Sequence, residues 1–224
     1  MWPRTARELV EAQEALARAQ APPWRPEAGT PVVAACAVCF PRGWTGPGAV
    51  GDPAWAAAVA LRGRRVLGGA VVSGEAGGAY APGLLALREG PLLEAAVRAL
   101  RERPDVLLVD ATGRDHPRRA GLALHLGAVL GLPTVGVTHR PLLADGPWPS
   151  GERGASSPLV LDGEPVGAWV RTRGAARPVA VHAAWRTDPD VAVHVAVAAA
   201  RGHRTPEALR RARHLARMAR AGRS

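Results

Sequence analysis

PDVLLVDATGRDHPRRAGLALHLGAVLGLPTVGVT, residues 104–138, holds the reading that decides the fold. Val106 to Val109 form an unbroken apolar run between Asp105 and Asp110. A short run of that kind, bounded by polar residues, reads as a strand buried on both faces, with Asp110 at its carboxyl end. The stretch from about 116 to 130 has helical patterning, with Asp115 as its expected N-cap and Gly131 as its stop. Pro133–Thr138 reads as a second buried strand. Strand, helix and strand in this order make a right-handed crossover between parallel neighbours, so the chain belongs to the α/β class.

Upstream, residues 91–102 (PLLEAAVRALRE) predict a helix with Pro91 at its first position, preceded by a Gly-rich, turn-like stretch at 74–90. Apolar strands are expected at 32–40, 55–61 and 66–73, the last two joined by the basic turn RGRR, which makes an antiparallel meander. Residues 7–19 form an amphipathic helix with Leu9, Ala12 and Leu16 on one stripe, ended by Pro22, Pro23 and Pro26. Downstream, Asp162-Gly163 between two apolar runs signals a type I′ hairpin. A strand near 178–182, a helix near 189–201 and a basic helix at 206–221 complete the chain. The expectation is one domain over residues 1–224, an α/β mixed sheet flanked by helices.

Hydrophobic residues make up 47% of the 224, which excludes a disordered chain. No apolar run approaches the roughly 18–20 residues that span a bilayer, and the N-terminus carries charge where a signal peptide is apolar. We therefore expect a cytoplasmic protein with no membrane partner. The net charge of +10 invites a nucleic-acid partner, because basic surfaces release counterions from phosphates. All 29 basic residues are Arg, however, and Lys, Asn and Ile are absent, as the codon bias of a GC-rich genome would also produce. Charge alone does not choose. Cys36 and Cys39 have C-x-x-C spacing, but in a strand residues three apart face opposite ways, and no second pair completes a zinc site.

The run Tyr80-Ala-Pro-Gly-Leu-Leu-Ala-Leu-Arg-Glu-Gly-Pro-Leu92 resembles the P-Y-x-P-G-x-L-x-F-R-E motif of endonuclease V. Residues 104–110, with Gly113 and His116-Pro117-Arg118, resemble that family's second acidic motif. Residues 120–127 and 132–137 continue the match, as do Gln13, Leu16, the Asp162-Gly163 hairpin and Val170-Arg171-Thr172. The resemblance implies an RNase H-like fold and Mg²⁺-dependent hydrolysis of a phosphodiester near deoxyinosine in DNA or inosine in RNA. Two divalent ions would flank the phosphate, each held by carboxylates at the sheet's carboxyl edge. By the same resemblance Glu89 and Asp110 are metal-binding and catalytic carboxylates, His116 is a catalytic or substrate-facing histidine, and Tyr80 is the wedge beside the lesion. Arg88 and Arg118, inside the matched motifs, are expected to bind substrate.

Four positions depart from the pattern. The acid of the V-A-G-x-D-x-S-F strand is Ala37, and the lysine of G-V-x-K is His139. The S-P-G-H-like segment is His182-Ala-Ala-Trp185, and the acid or His of T-R-x-A-[D/H] is Arg213. These changes predict weak Mg²⁺ or Mn²⁺ binding and a cleft narrowed by Trp185. The expectation is a scaffold turned from two-metal cleavage to acid–base chemistry, such as elimination, on a smaller phosphate- or sulfate-bearing substrate. His139 would then join Glu89, Asp110 and His116 as acid or base. The alternatives are an altered Mg²⁺- or Mn²⁺-dependent endonuclease, or a non-catalytic module that binds nucleic acid or a protein partner.

Overall fold

The computed structural model describes residues 2–43 and 45–222. In chain order the elements are α1 (Ala6–Arg18), β1 (Val32–Cys39), β2 (Pro53–Arg62), β3 (Arg65–Glu75), α2 (Leu85–Arg98), β4 (Val106–Val109), α3 (Leu122–Leu130), β5 (Thr134–Thr138), β6 (Ser156–Leu161), β7 (Glu164–Val170), β8 (Val179–Ala183), α4 (Pro189–Ala199) and α5 (Glu207–Arg220). The eight strands form one sheet in the order β3-β2-β1-β4-β5-β8-β7-β6. β1, β4 and β5 are parallel and every other pairing is antiparallel, so the sheet is mixed as expected.

Strand alternation sorts the core into two layers. Leu107 and Val109 of β4 join Leu9, Leu93, Ala96 and Leu124 on one face, under α1, α2 and α3. Val106 and Leu108 join Val195, Leu209 and Ala212 on the other, under α4 and α5. All four β4 side chains are fully buried, and each contributes about 1.5–3 kcal/mol of hydrophobic burial. β2 is lined with small side chains, Ala54, Ala56, Ala57, Ala58 and Ala60, which let helices approach closely from both sides. The Asp162-Gly163 turn joins β6 to β7 with φ of 51° and 80°, the positive values that a type I′ hairpin requires.

Two helix starts differ from the sequence reading. α2 begins at Leu85, and Pro91 lies inside it rather than at its first position. At the seventh position the proline removes the hydrogen bond that an N–H there would donate to Leu87 O, a cost that packing of the helix on the sheet offsets, and its ring is exposed. α3 begins at Leu122 with Gly121 at the N-cap, so the 116–121 stretch is loop. Asp115 does not cap that helix. It is buried and accepts the backbone N–H groups of Leu142, Leu143 and Ala144 at 2.6–2.8 Å. Gly131 ends α3 as expected, left-handed at φ 64°.

Candidate functional site

Asp110 follows β4 at the carboxyl edge of the parallel strands, where α/β folds gather their ligands. The register that pairs Cys36 with Val109 sets Ala37 beside Asp110, one strand spacing of about 4.8 Å away. Ala37 is buried against the α5 layer. From α5, Arg213 reaches over it and forks onto Asp110: Nε donates to Oδ2 at 2.7 Å and Nη2 to Oδ1 at 2.5 Å. The pair is partly open to solvent, with side-chain exposures of 21% and 37%. α5 holds this register because Leu209, Ala212 and Ala216 are its buried stripe, which leaves Arg213 on the flank and His214 outside.

Glu89 stands on α2, half-buried, on the opposite side of the edge from Arg213. Desolvation, reinforced by the charge of Asp110 and opposed by Arg88, pushes its carboxyl up to about 8. The folded protein therefore keeps a proton on Glu89 that the unfolded chain releases at its ordinary value of 4.5. Stability contributed by this group falls as pH rises through that window. On the acid side, burial lowers His116 and His125 to about 4, so stability is lost as pH falls from 6.5 towards 4. Thermal unfolding followed across pH is expected to show maximal stability near 6.5. Glu89→Gln is expected to melt about 5 °C above the parent above pH 8 and at the same temperature at pH 4.5.

Beside Asp110 lies a cleft of about 180 Å³ lined by Gln13, Tyr80, Gly83, Asp110, His116 and Leu142 among others. Its wall is the Tyr80–Leu84 loop, pinned through one atom. The Gly83 carbonyl accepts from Gln13 Nε2 at 3.0 Å, Arg118 Nη2 at 3.0 Å and His116 Nε2 at 3.1 Å. The Arg118 backbone N–H donates to His116 Nδ1, so the imidazole proton belongs on Nε2. Gly83 has φ +76°, which a side chain at this position would strain. Arg118 Nε also donates to Gln13 at 2.6 Å, tying α1 to the loop. Tyr80 stands at the rim, 49% exposed.

Several expected site residues lie elsewhere or are otherwise engaged. Arg88, expected to bind substrate, is engaged within the protein. It is buried, donates to Asp52 at 2.9 Å and Gly78 O at 2.6 Å, and stacks 4.0 Å over Phe40. Burial forces a guanidinium to find such partners. Trp185 does not narrow the cleft, because its backbone N–H bonds Thr134 at the amino end of β5, the far edge of the sheet. His139 is exposed just past β5, its pKa lowered by desolvation and by Arg204 and Arg213, against Asp110. His125, on α3, stacks on Trp2 with ring centroids 4.6 Å apart.

Sequence reading missed a buried polar relay behind the cleft. His182 Nε2 lies 2.8 Å from Thr138 Oγ1, and Thr138 donates to Arg140 O at 2.6 Å. His182 Nδ1 lies 3.6 Å from Asp115 Oδ2, the acid that holds residues 142–144. Burial lowers the pKa of His182. The signal available was a histidine in an otherwise apolar strand, but its partners are 44 and 67 residues away in the chain. Among the described residues no three His, Cys, Asp or Glu side chains gather so as to hold a metal ion.

A mixed sheet with three parallel central strands, helices on both faces and an acid at the carboxyl end of β4 defines an α/β protein of RNase H-like architecture. The family model for Endonuclease V matches residues 26–214. The chain belongs to the endonuclease V family. It is 47% identical over 131 residues to an endonuclease V of Methanothrix thermoacetophila, a match covering 58% of this chain and 58% of that protein's length. The crystal structure of Streptomyces avermitilis endonuclease V superimposes with a TM-score of 0.88 at 36% identity, covering 99% of this chain and 95% of that one. Ciona intestinalis endonuclease V, crystallised with a 24mer DNA containing an inosine, shares the fold at a TM-score of 0.82 and 18% identity, with 97% and 98% covered.

Proposed function

We propose that this protein binds nucleic acid through the cleft beside Asp110, taking one extruded purine-like base there, and hydrolyses the adjoining phosphodiester slowly or not at all. The observation that carries the reading is the forked Arg213–Asp110 pair over Ala37. Two divalent ions need several carboxylate oxygens facing one point. Here position 37 supplies none, and both Asp110 oxygens are engaged by a cation. The donors present do not fit two metal ions.

The recognition side is furnished. A cleft of about 180 Å³ is small for a drug-sized ligand and suits a single base. Three donors fix its Gly83 wall, and Tyr80 stands at its mouth with a free aromatic face. Arg213 supplies locally the positive charge that a metal would otherwise bring to an incoming phosphate.

Acid–base chemistry on a smaller phosphate- or sulfate-bearing substrate is the second reading, favoured by His139, Arg204 and Arg213 standing together near Asp110. His116 weakens it, since both ring nitrogens already bond backbone atoms. The test is fluorescence anisotropy with single strands that carry either inosine or adenosine at one position. The inosine strand is expected to bind about tenfold more tightly, a common cost of one misread base. EDTA in place of Mg²⁺ should leave that affinity unchanged, and no product should form. Rapid Mg²⁺-dependent cleavage by the wild-type protein would overturn the reading.

A further inference from the structure

Residues 141–150 run from the cleft along the sheet's edge with no helix or extended strand, yet they are anchored at nearly every step. Asp115 holds the N–H groups of residues 142–144, Asp145 bridges Val160, and Pro147 O accepts from Ser157. Gly146 O accepts from Trp169 Nε1 at 3.2 Å, and Ser150 O accepts from Arg171 Nε at 2.9 Å. A segment fixed this firmly would be expected to turn its apolar side chains inward. It does the opposite: Leu142, Leu143 and Trp148 are 41%, 50% and 56% exposed. Trp148 is braced edge-on against Trp169, ring centroids 6.2 Å apart, with the Arg171 guanidinium 5.7 Å from its ring.

We propose that this shelf is a second nucleic-acid contact, in which Trp148 stacks a base flanking the one held in the cleft. The proposal rests on the nucleic-acid reading of the cleft and extends it outward. Continuity supports it, because Leu142 is both cleft wall and start of the shelf. The strand register pairs Trp169 with Ala180 and Ala180 with Thr138, a cleft residue, two strand spacings or about 10 Å across. A single strand leaving the cleft covers that distance within a few nucleotides. Charge supports it too. Residues 140–153, which hold the shelf and its flanks, and the 171–177 loop carry Arg140, Arg153, Arg171, Arg173 and Arg177 against only Asp145 and Glu152. A rigid tryptophan with a guanidinium beside its ring matches a single strand, whose bases stack while its phosphates pair.

The test compares two single strands. One is short, bearing inosine and its immediate neighbours; the other is extended on both sides. Trp148→Ala is expected to weaken the extended strand about tenfold, in keeping with the loss of one stacked base, and to leave the short strand unaffected. Trp148→Phe should recover most of the loss. Trp148 is exposed, so both variants should melt with the parent. Equal binding of the extended strand by Trp148→Ala and the parent would overturn the shelf, while an inosine preference would leave the cleft reading standing. If the parent shows no inosine preference, the cleft reading falls, and the effect of Trp148→Ala on an inosine-free extended strand decides the shelf. A protein that sediments as a dimer and is made monomeric by Trp148→Ala, with strand affinity unchanged, would assign the face to a second copy and overturn the proposal.

Discussion

Ala37→Asp combined with Arg213→Asp is expected to raise Mg²⁺-dependent cleavage of an inosine-containing strand at least about 100-fold over the parent protein. The geometry explains why both changes are needed. Position 37 sits beside Asp110 in the parallel register, so an aspartate there supplies the neighbouring oxygens that Asp110 lacks. While Arg213 remains, its guanidinium still covers both Asp110 oxygens and would pair with the new acid as well. Ala37→Asp alone should therefore gain little. A reacting group misplaced by about 1 Å costs on the order of 10²-fold, and a missing bridging ligand costs at least as much. Titration calorimetry with Mn²⁺ gives a readout independent of cleavage, with binding expected in the double variant and absent in the parent. Adding Asp110→Asn to the double variant should abolish both signals. A folded double variant that binds inosine strands yet neither takes up Mn²⁺ nor cleaves would sink the idea that these two positions set the difference.

The second large effect concerns stability. Arg88→Met is expected to cost about 3–5 kcal/mol, the usual range for breaking a buried ion pair by removing one partner. The melting temperature should fall by about 10 °C or more. Arg88 ties α2 to two separate segments, through Ala49 O and Asp52 in one and Gly78 O in the other, and stacks on Phe40 just past β1. Methionine keeps the stem's volume but leaves Asp52 without its counter-charge and two carbonyls without a donor. The same substitution decides between structure and recognition. An unchanged melting temperature with lost affinity for a nucleic-acid strand would restore Arg88 to the substrate-binding role that its motif suggested.

Arg88 and Glu89 show where sequence reading reached its limit. Their type and adjacency mark a motif, but Pro91 suggested that a helix begins after them. They lie instead in the first turns of α2, one turned inward onto Asp52 and the other at the sheet edge. The local rule puts a proline at a helix start, and packing against β1 and β2 selects the longer helix despite the hydrogen bond that Pro91 forgoes.

The linear sequence by itself determined the α/β class, the parallel centre, the Asp162-Gly163 hairpin, the family and the absence of an acid at position 37. Each is written in local periodicity, turn chemistry or residue identity within a few positions. Tertiary structure alone decided what pairs with Asp110. Arg213 lies 103 residues from Asp110 in the chain, and the pairing follows from the rotation at which α5 seats its apolar stripe on the sheet. Likewise, Asp115 looked like a helix cap because capping is a local rule. Its three N–H donors come from residues 27 to 29 positions away, brought to it by the fold. Residue types declare which interactions are available, and the sheet's register settles which of them form.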